Sequence, residues 1–265
     1  MTECKCQLIQ GDCLEEMDKL IDEGVKVDMV LTDPPYGTTA CKWDSIISFD
    51  KMWDCIDKIT YNTTPILLFG SEPYSSNLRM SNIKNYRYDW IWHKTSSGDF
   101  ALANKRPMKF HEIISVFYKN QPKYFPQFQD YSEGTKTRHK EGEFVNRKAQ
   151  LKKSTNNLQN GLSLEGRTPI SFERGKFPES VQFFKSIVNS AKERVHPTQK
   201  PVKLLGYLIR TYTNENDLVL DFTMGSGSTG VACLQTNRNF IGIELEPKYY
   251  EIAKERCSNY QSKLW

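Results

Sequence analysis

The chain has 265 residues, of which 38% are hydrophobic and 26% are charged, and its formal net charge is +4. That length suits one large α/β core with an added segment, and the composition is that of an ordinary soluble protein. No apolar run approaches the roughly 18 residues of a membrane span, and the amino-terminal segment is unlike a signal peptide. The seven cysteines lack the spacing of a zinc site, which predicts reduced thiols, a cytoplasmic location and no metal centre.

The amino-terminal part, residues 1–118, alternates predicted strands with predicted helices. Strands are expected at 7–10, 27–31, 65–70, 86–93 and 112–118, and helices at 14–21, 50–61 and 74–80. This alternation predicts an α/β fold with a doubly wound, mostly parallel sheet covered on both faces. Asp12 stands between the first strand and the first helix, where it could cap the helix or contact a ligand.

An apolar strand, 27–31, leads into a turn made of Asp33, Pro34, Pro35, Tyr36 and Gly37. Proline lacks a backbone N–H and fixes φ, so the strand cannot continue and the turn is stiff. The turn follows the carboxyl end of a predicted parallel strand, which is where open α/β sheets bind ligands. A carboxylate and an aromatic ring held there suit a flat molecule that carries an amine. The polar stretch 38–48 is predicted to form a loop over this site.

The segment 119–195 differs from the rest of the chain. Residues 119–194 contain fifteen Lys and Arg but eight Asp and Glu, so the excess positive charge of the chain lies here. A solvated surface loop would explain this charge. A surface for the phosphate backbone of nucleic acid is favoured, because the charge is local and interleaved with aromatic residues. Those aromatic residues are Tyr124, Phe125, Phe128, Tyr131 and Phe144.

The carboxyl-terminal part, residues 196–265, contains a glycine loop, 225–230, between a predicted strand at 217–221 and a predicted helix at 228–235. A glycine loop lets a ligand approach backbone N–H groups. Glu244 ends the next strand, 240–243, where an acid can accept hydrogen bonds from ribose. The pair predicts a nucleoside site for a nicotinamide dinucleotide or S-adenosylmethionine, and a glycine turn needed only for packing is the simpler alternative.

The order of the elements separates the two cofactors. A dinucleotide site needs further strands after the acid, and the chain after Glu244 has room for one helix, predicted at 247–257. The missing strands are therefore expected from the amino-terminal part. That arrangement places the glycine loop, Glu244, Asp12 and Asp33 along one edge of the sheet.

Four stretches together resemble the amino-methylating DNA methyltransferases that use S-adenosylmethionine, in the class where the DPPY motif precedes the glycine loop. They are TDPPYG at 32–37, HPTQKP at 196–201, FTMGSGSTG at 222–230 and IGIELEPKYYEIA at 241–253. The resemblance implies a Rossmann-like methyltransferase fold. It makes 1–118 the catalytic half, 119–195 an irregular target-recognition insertion that matches no family segment, and 196–265 the cofactor-binding half.

The resemblance also implies roles for individual residues. The target amine would donate to the Asp33 carboxylate and the Pro34 carbonyl, Pro35 would complete the motif, and Tyr36 would stack on the base. Glu244 would hold the ribose, Asp12 the adenine amine, and Lys200 would lie near the cofactor carboxylate. The remaining predicted cofactor-binding residues belong to the loop: Asp221, Phe222, Gly225 and Gly227, the two glycines approaching the methionine part. The loop departs from the usual DPFxGSGTT, since Phe222 and Thr223 follow Asp221. The aromatic partner of the cofactor adenine is therefore open.

The predicted function is methyl transfer from S-adenosylmethionine to the N6 amine of adenine in double-stranded DNA by a bacterial or phage-encoded enzyme. Asp rather than Ser at position 33 favours adenine, and the cytosine N4 amine is the nearest alternative. An RNA or protein-amide methyltransferase and a non-catalytic DNA-binding module are further alternatives. The family includes homodimers and enzymes with a cognate restriction endonuclease, and the sequence decides neither for this chain.

Overall fold

Eight strands form one mixed sheet in the computed structural model, which describes residues 4–37, 45–97, 100–138, 140–141, 171–187 and 199–261. The strands are β1 (Cys6–Gln10), β2 (Met29–Thr32), β3 (Ile66–Gly70), β4 (Tyr86–His93), β5 (His111–Phe117), β6 (Val181–Phe183), β7 (Leu218–Asp221) and β8 (Asn239–Glu244). The helices are α1 (Cys13–Asp22), α2 (Phe49–Ile59), α3 (Tyr74–Ser81), α4 (Glu133–Arg138), α5 (Val202–Tyr212), α6 (Ser228–Gln235) and α7 (Pro247–Gln261).

The strand order is β1-β8-β7-β2-β3-β5-β4-β6. All neighbouring pairs are parallel except those of β5, which runs antiparallel to both β3 and β4. One edge of the sheet therefore collects the carboxyl ends of the other strands together with the amino end of β5. The predicted doubly wound, mostly parallel sheet is confirmed, and the carboxyl-terminal strands lie beside the amino-terminal ones as expected.

The central strand β2 lies between β7 and β3, and all four of its residues are buried. Met29 and Leu31 join an apolar cluster with side chains of α5, α6 and α7. Val30 joins a second cluster with side chains of α1, α2 and α3. Covering of both faces explains why the strand has a continuous apolar run instead of alternation. It also keeps the turn that follows β2 in a fixed place.

The chain divides into two compact units, Met1–Phe125 with Ser180–Trp265, and Pro126–Glu179. The second unit contains α4, an isolated bridge between Gln129 and Lys176, and the ring contact of Phe128 with Phe177. The expected insertion, 119–195, is longer than this unit at both ends. Strand β6 lies within the expected insertion, and it pairs with β4 in the sheet of the first unit. The sequence did not predict β6, because three residues with one buried side chain carry no readable alternation.

None of the helices in the described ranges is long and apolar enough to cross a membrane.

Candidate active site

A cavity of about 620 Å³ lies at the edge of the sheet where β1, β2, β7 and β8 end. Its volume falls in the usual range for small-molecule sites. Ten of the eleven predicted site residues line it, and they are Asp12, Asp33, Pro34, Pro35, Tyr36, Lys200, Asp221, Phe222, Gly225 and Glu244. Gly227 is not among the lining residues. The parallel strands bring these distant positions together, because most of them end or follow a strand at this edge.

The turn after β2 holds the Asp33 carboxylate between two donors. The Tyr36 hydroxyl donates to Oδ1, and the Lys200 ammonium donates to Oδ2 at 2.5 Å. The Tyr36 ring lies 5.0 Å from the Tyr74 ring, measured between centroids. Each carboxylate oxygen has two lone pairs, so the carboxylate can still accept a further donor.

Burial and charge act in opposite directions on these groups. Burial raises the pKa of Asp33, the Lys200 ammonium opposes this, and the Glu112 carboxylate adds to it. Burial also raises the pKa of Tyr36 well above its ordinary value, so its hydroxyl keeps its proton and acts as a donor. Although burial lowers the pKa of Lys200, the carboxylates of Asp33 and Glu112 outweigh it and raise that pKa. Lys200 is therefore a cation in the folded protein.

Glu112 and Lys94 belong to the same site and were not predicted. Glu112 Oε2 lies 3.2 Å from the Lys200 ammonium, and Glu112 Oε1 lies 3.1 Å from the Lys94 ammonium. Both residues line the cavity. Glu112 is the second residue of β5, and only the antiparallel direction of β5 brings its amino end to this edge. One sequence feature could have indicated the antiparallel direction of β5: the stretch 94–110 has no helical pattern long enough for the crossover that a parallel connection needs.

Hydroxyl groups connect the glycine loop with the Asp33–Tyr36 turn. The Asp221 carboxylate accepts from the hydroxyls of Thr32 and Thr229, each at 2.6 Å, and from the Thr223 backbone N–H at 3.2 Å. The Thr223 hydroxyl lies 2.7 Å from the Thr32 hydroxyl and donates to the Asp33 backbone carbonyl at 3.1 Å. Burial raises the pKa of Asp221 to about 6, against the effect of these hydrogen bonds. Asp221 thus stabilises the loop through protein partners.

Glu244 stands at the end of β8 and holds the glycine loop. Its Oε2 accepts from the Gly225 backbone N–H and its Oε1 from the Glu246 backbone N–H, both at 2.8 Å. Burial raises the pKa of Glu244, and these two N–H groups oppose the rise. Each oxygen keeps a second lone pair, which is the acceptor set that a ribose diol requires.

The two loop glycines have different surroundings. Gly225 and Gly227 both have positive φ, of 52° and 75°. A Cβ on Gly227 would lie 2.8 Å from the Cβ of Ala253 in α7, which is closer than two such atoms approach. Backbone conformation and packing against α7 therefore account for Gly227, whereas Gly225 lines the cavity. Their predicted contact with the cofactor stays a prediction.

Asp12 caps α1 and also lines the cavity. Its Oδ1 accepts from the backbone N–H of Leu14 at 2.9 Å and of Glu15 at 3.2 Å. The two roles left open by the sequence are compatible, since both capping bonds use the same oxygen. Oδ2 is left as an acceptor for a ligand.

Phe222 is 1% exposed and packs with the apolar cluster of α1 and α2 beside the cavity.

The predicted loop over the site falls mainly on 38–44, which lie outside the described residues. The first three residues of HPTQKP, 196–198, also lie outside them.

The basic segment is described only in part. Its aromatic residues Tyr124 and Phe125 belong to the first unit, and Phe128 and Tyr131 to the second. The Arg174 guanidinium lies 5.4 Å from the ring centroids of both Phe128 and Phe177. Phe144 and the cationic stretch 147–153 lie outside the described residues.

No group of acidic, histidine and cysteine side chains suited to a metal ion occurs among the residues that the structure describes.

Comparison with known proteins identifies the family. The family model described as DNA methylase matches residues 27–255. The chain is 27% identical over 266 residues to the Type II methyltransferase M.HpaI of Haemophilus parainfluenzae, which covers 96% of this chain and 74% of that protein. It is 26% identical over 273 residues to the DNA adenine methyltransferase YhdJ of Escherichia coli (strain K12), which covers 97% and 85%.

Two solved structures share the fold. The complex of M1.HpyAVI with SAM has a TM-score of 0.61 at 24% identity and covers 95% of this chain and 98% of that chain. The PvuII DNA methyltransferase, which is cytosine-N4-specific, has a TM-score of 0.63 at 16% identity and covers 99% and 93%. The Rossmann-like fold is thereby confirmed.

The family model covers most of the chain and contains both the Asp33–Tyr36 turn and the glycine loop. The predicted enzyme class and cofactor are confirmed with it. The chain belongs to the DNA methylase family and is an S-adenosylmethionine-dependent DNA methyltransferase.

Proposed function

We propose that this protein methylates the exocyclic N6 amine of adenine at a specific sequence in double-stranded DNA. One observation carries the proposal: the Asp33–Tyr36 turn lines the same cavity as Gly225 and Glu244. A group that can hold an amine thus lies beside groups that can hold a nucleoside. Aspartate at position 33 favours adenine over cytosine, and so does the adenine specificity of the relative YhdJ.

The acceptors at the cavity fit S-adenosylmethionine. The lone pairs left on Glu244 would accept from the ribose hydroxyls, and Asp12 Oδ2 would accept from the adenine amine. Gly225 would let the backbone approach the methionine part. We assign Lys200 to the catalytic side, because its ammonium contacts Asp33 and Glu112.

Asp33 and the Pro34 carbonyl would activate the target amine. The lone pair of an exocyclic adenine amine is delocalised into the ring, so the free amine is a poor nucleophile. Two acceptors on its protons favour a pyramidal nitrogen and localise that lone pair. When bound, S-adenosylmethionine would supply an electrophilic methyl group, and the amine would lose one proton after accepting it. Asp33 receives that proton and passes it to water, and positioning supplies much of the rate.

The target amine lies inside the duplex, so the base has to be flipped into the cavity. Tyr36 would stack on it there. We propose that the segment 119–195 supplies the contacts to DNA, with its cations on phosphates and its polar side chains on base edges. This assignment is supported by the local excess of Lys and Arg. We also propose a cytoplasmic location.

Methylation of unmethylated genomic DNA by the purified protein tests the proposal. Digestion of the product and mass analysis of the nucleosides should give N6-methyladenine. Methylated cytosine without methylated adenine would refute the choice of base. Sequencing of the same DNA with modified bases identified should place the modification in one short sequence.

Asp33→Ala should abolish methylation and leave binding of S-adenosylmethionine intact by calorimetry. Asp28→Ala is the matched control, since Asp28 precedes β2 at the opposite end, where its carboxylate accepts from the Leu218 backbone N–H. The control should retain activity. Full activity of Asp33→Ala would refute the assigned site.

A further inference from the structure

Five partly buried side chains form a continuous chain of contacts across the cavity: Tyr36, Asp33, Lys200, Glu112 and Lys94. They come from the turn after β2, the segment before α5, the start of β5 and the residue after β4. The Lys200 side chain is 9% exposed, and those of Glu112 and Lys94 are 18% and 19% exposed.

The charges of this cluster balance. The carboxylates of Asp33 and Glu112 face the ammonium groups of Lys200 and Lys94, so the net charge is zero. Lys200 lies 2.5 Å from Asp33 and 3.2 Å from Glu112, which means that the two acids share one cation. A buried charge that loses its partner is strongly unfavourable. If one of the two acids were removed, Lys200 would therefore pair with the remaining acid alone.

We propose that Glu112 is a positioning residue that shares Lys200 with Asp33 and thereby keeps an Asp33 oxygen available to the target amine. The inference rests on the proposed methyl transfer at Asp33. The target nitrogen becomes cationic as it takes the methyl group, and a neutral cluster tolerates that charge better than a positive one. Glu112 keeps the cluster neutral without touching the substrate.

Glu112→Gln conserves shape and removes the charge. We expect kcat to fall about tenfold to a hundredfold, the range for a displaced catalytic group, while the Kd for S-adenosylmethionine stays within about twofold. Lys200→Met removes the shared cation. The double variant restores neutrality, since Asp33 and Lys94 remain. It should therefore be more active than Glu112→Gln alone, as expected for coupled residues.

The pH profile separates this role from a merely structural one. The acid limb of kcat/KM reports the protonation of Asp33, whose pKa is raised by burial, lowered by Lys200 and raised further by Glu112. Glu112→Gln should therefore move the acid limb to lower pH, and Lys200→Met should move it to higher pH. Loss of folded protein would lower the rate and leave the limb in place. The titratable groups that face Asp33 are Lys200, Glu112, Tyr36, Tyr74 and Asp221.

Asp217→Asn is the matched control. The Asp217 side chain is 15% exposed and pairs with Lys123 at 2.8 Å, at the opposite edge of the same sheet. Its kcat and acid limb should equal those of the wild-type protein.

Transfer of labelled methyl groups to genomic DNA is the rate assay, so the result does not depend on which base is methylated. Nucleoside analysis of the same reactions tests the proposed base separately. An unchanged kcat and acid limb in Glu112→Gln, or a double variant less active than Glu112→Gln, would overturn the inference.

Discussion

Replacement of Gly227 by alanine tests how the glycine loop is held. The change places a side chain at φ +75°, where L residues are disfavoured by about 1–2 kcal/mol. The new Cβ would also lie 2.8 Å from Cβ and 3.0 Å from Cα of Ala253 in α7. Overpacking of this kind costs roughly 1–3 kcal/mol.

Gly24 separates the two effects. It has φ +76°, and an added Cβ there would meet no heavy atom within 4 Å, so Gly24→Ala has the conformational cost alone. Alanine also restricts the unfolded chain, which offsets roughly 0.4–1 kcal/mol in both variants. We expect the free energy of unfolding to fall by about 1 kcal/mol in Gly24→Ala and by about 2–4 kcal/mol in Gly227→Ala.

Urea unfolding followed by circular dichroism measures both variants, and calorimetry gives the Kd for S-adenosylmethionine while they are folded. Equal destabilisation of the two variants would refute the close packing of the loop on α7. A Gly227→Ala protein with the stability of Gly24→Ala but a Kd raised more than tenfold would show that this glycine serves cofactor approach instead.

Three further predictions concern the loop. Burial raises the pKa of Asp221 from 3.8 to about 6, so the folded protein binds this proton more tightly than the unfolded chain does. The resulting stability, about 3 kcal/mol, is present below about pH 4 and is lost as the pH rises through 6. In urea unfolding between about pH 4 and 7, the free energy of unfolding of Asp221→Asn should not show this loss. Thr223→Val removes the donor to the Asp33 carbonyl, at roughly 1–3 kcal/mol, while the Thr32 hydroxyl still donates to Asp221; kcat should fall, whereas Thr223→Ser should retain it. Glu244→Gln turns an amide NH₂ toward a backbone N–H, so its Kd for S-adenosylmethionine should rise at least about tenfold by calorimetry; an unchanged Kd would contradict the ribose contact.

The elements could be predicted closely because their signals are local. The pattern of α6 gave the bounds 228–235, as the structure has them. The last helix extends to Gln261, beyond the predicted end at 257. Its final turns follow no strong apolar pattern, so the sequence offers no stop signal there.

The direction of β5 could not be read from its own residues. A buried strand has the same apolar run whether its neighbours are parallel or antiparallel, because burial of both faces produces that run. The sequence therefore placed Glu112 in a predicted strand but did not predict that it belongs to the site. Pairing with β3 and β4 decided its position, and these contacts are non-local.

The sequence by itself determined the stiff Asp33–Tyr36 turn, the glycine loop and the acid at position 244, because proline, glycine and strand ends act through local backbone chemistry. The tertiary structure alone decided which side chains surround Asp33. Lys200 and Glu112 lie far from Asp33 along the chain, and Glu112 reaches Lys200 because β5 runs antiparallel to β3. Burial and these neighbouring charges together shift the pKa of Asp33, because a carboxylate that shares its cation inside the protein has a different pKa from one in water.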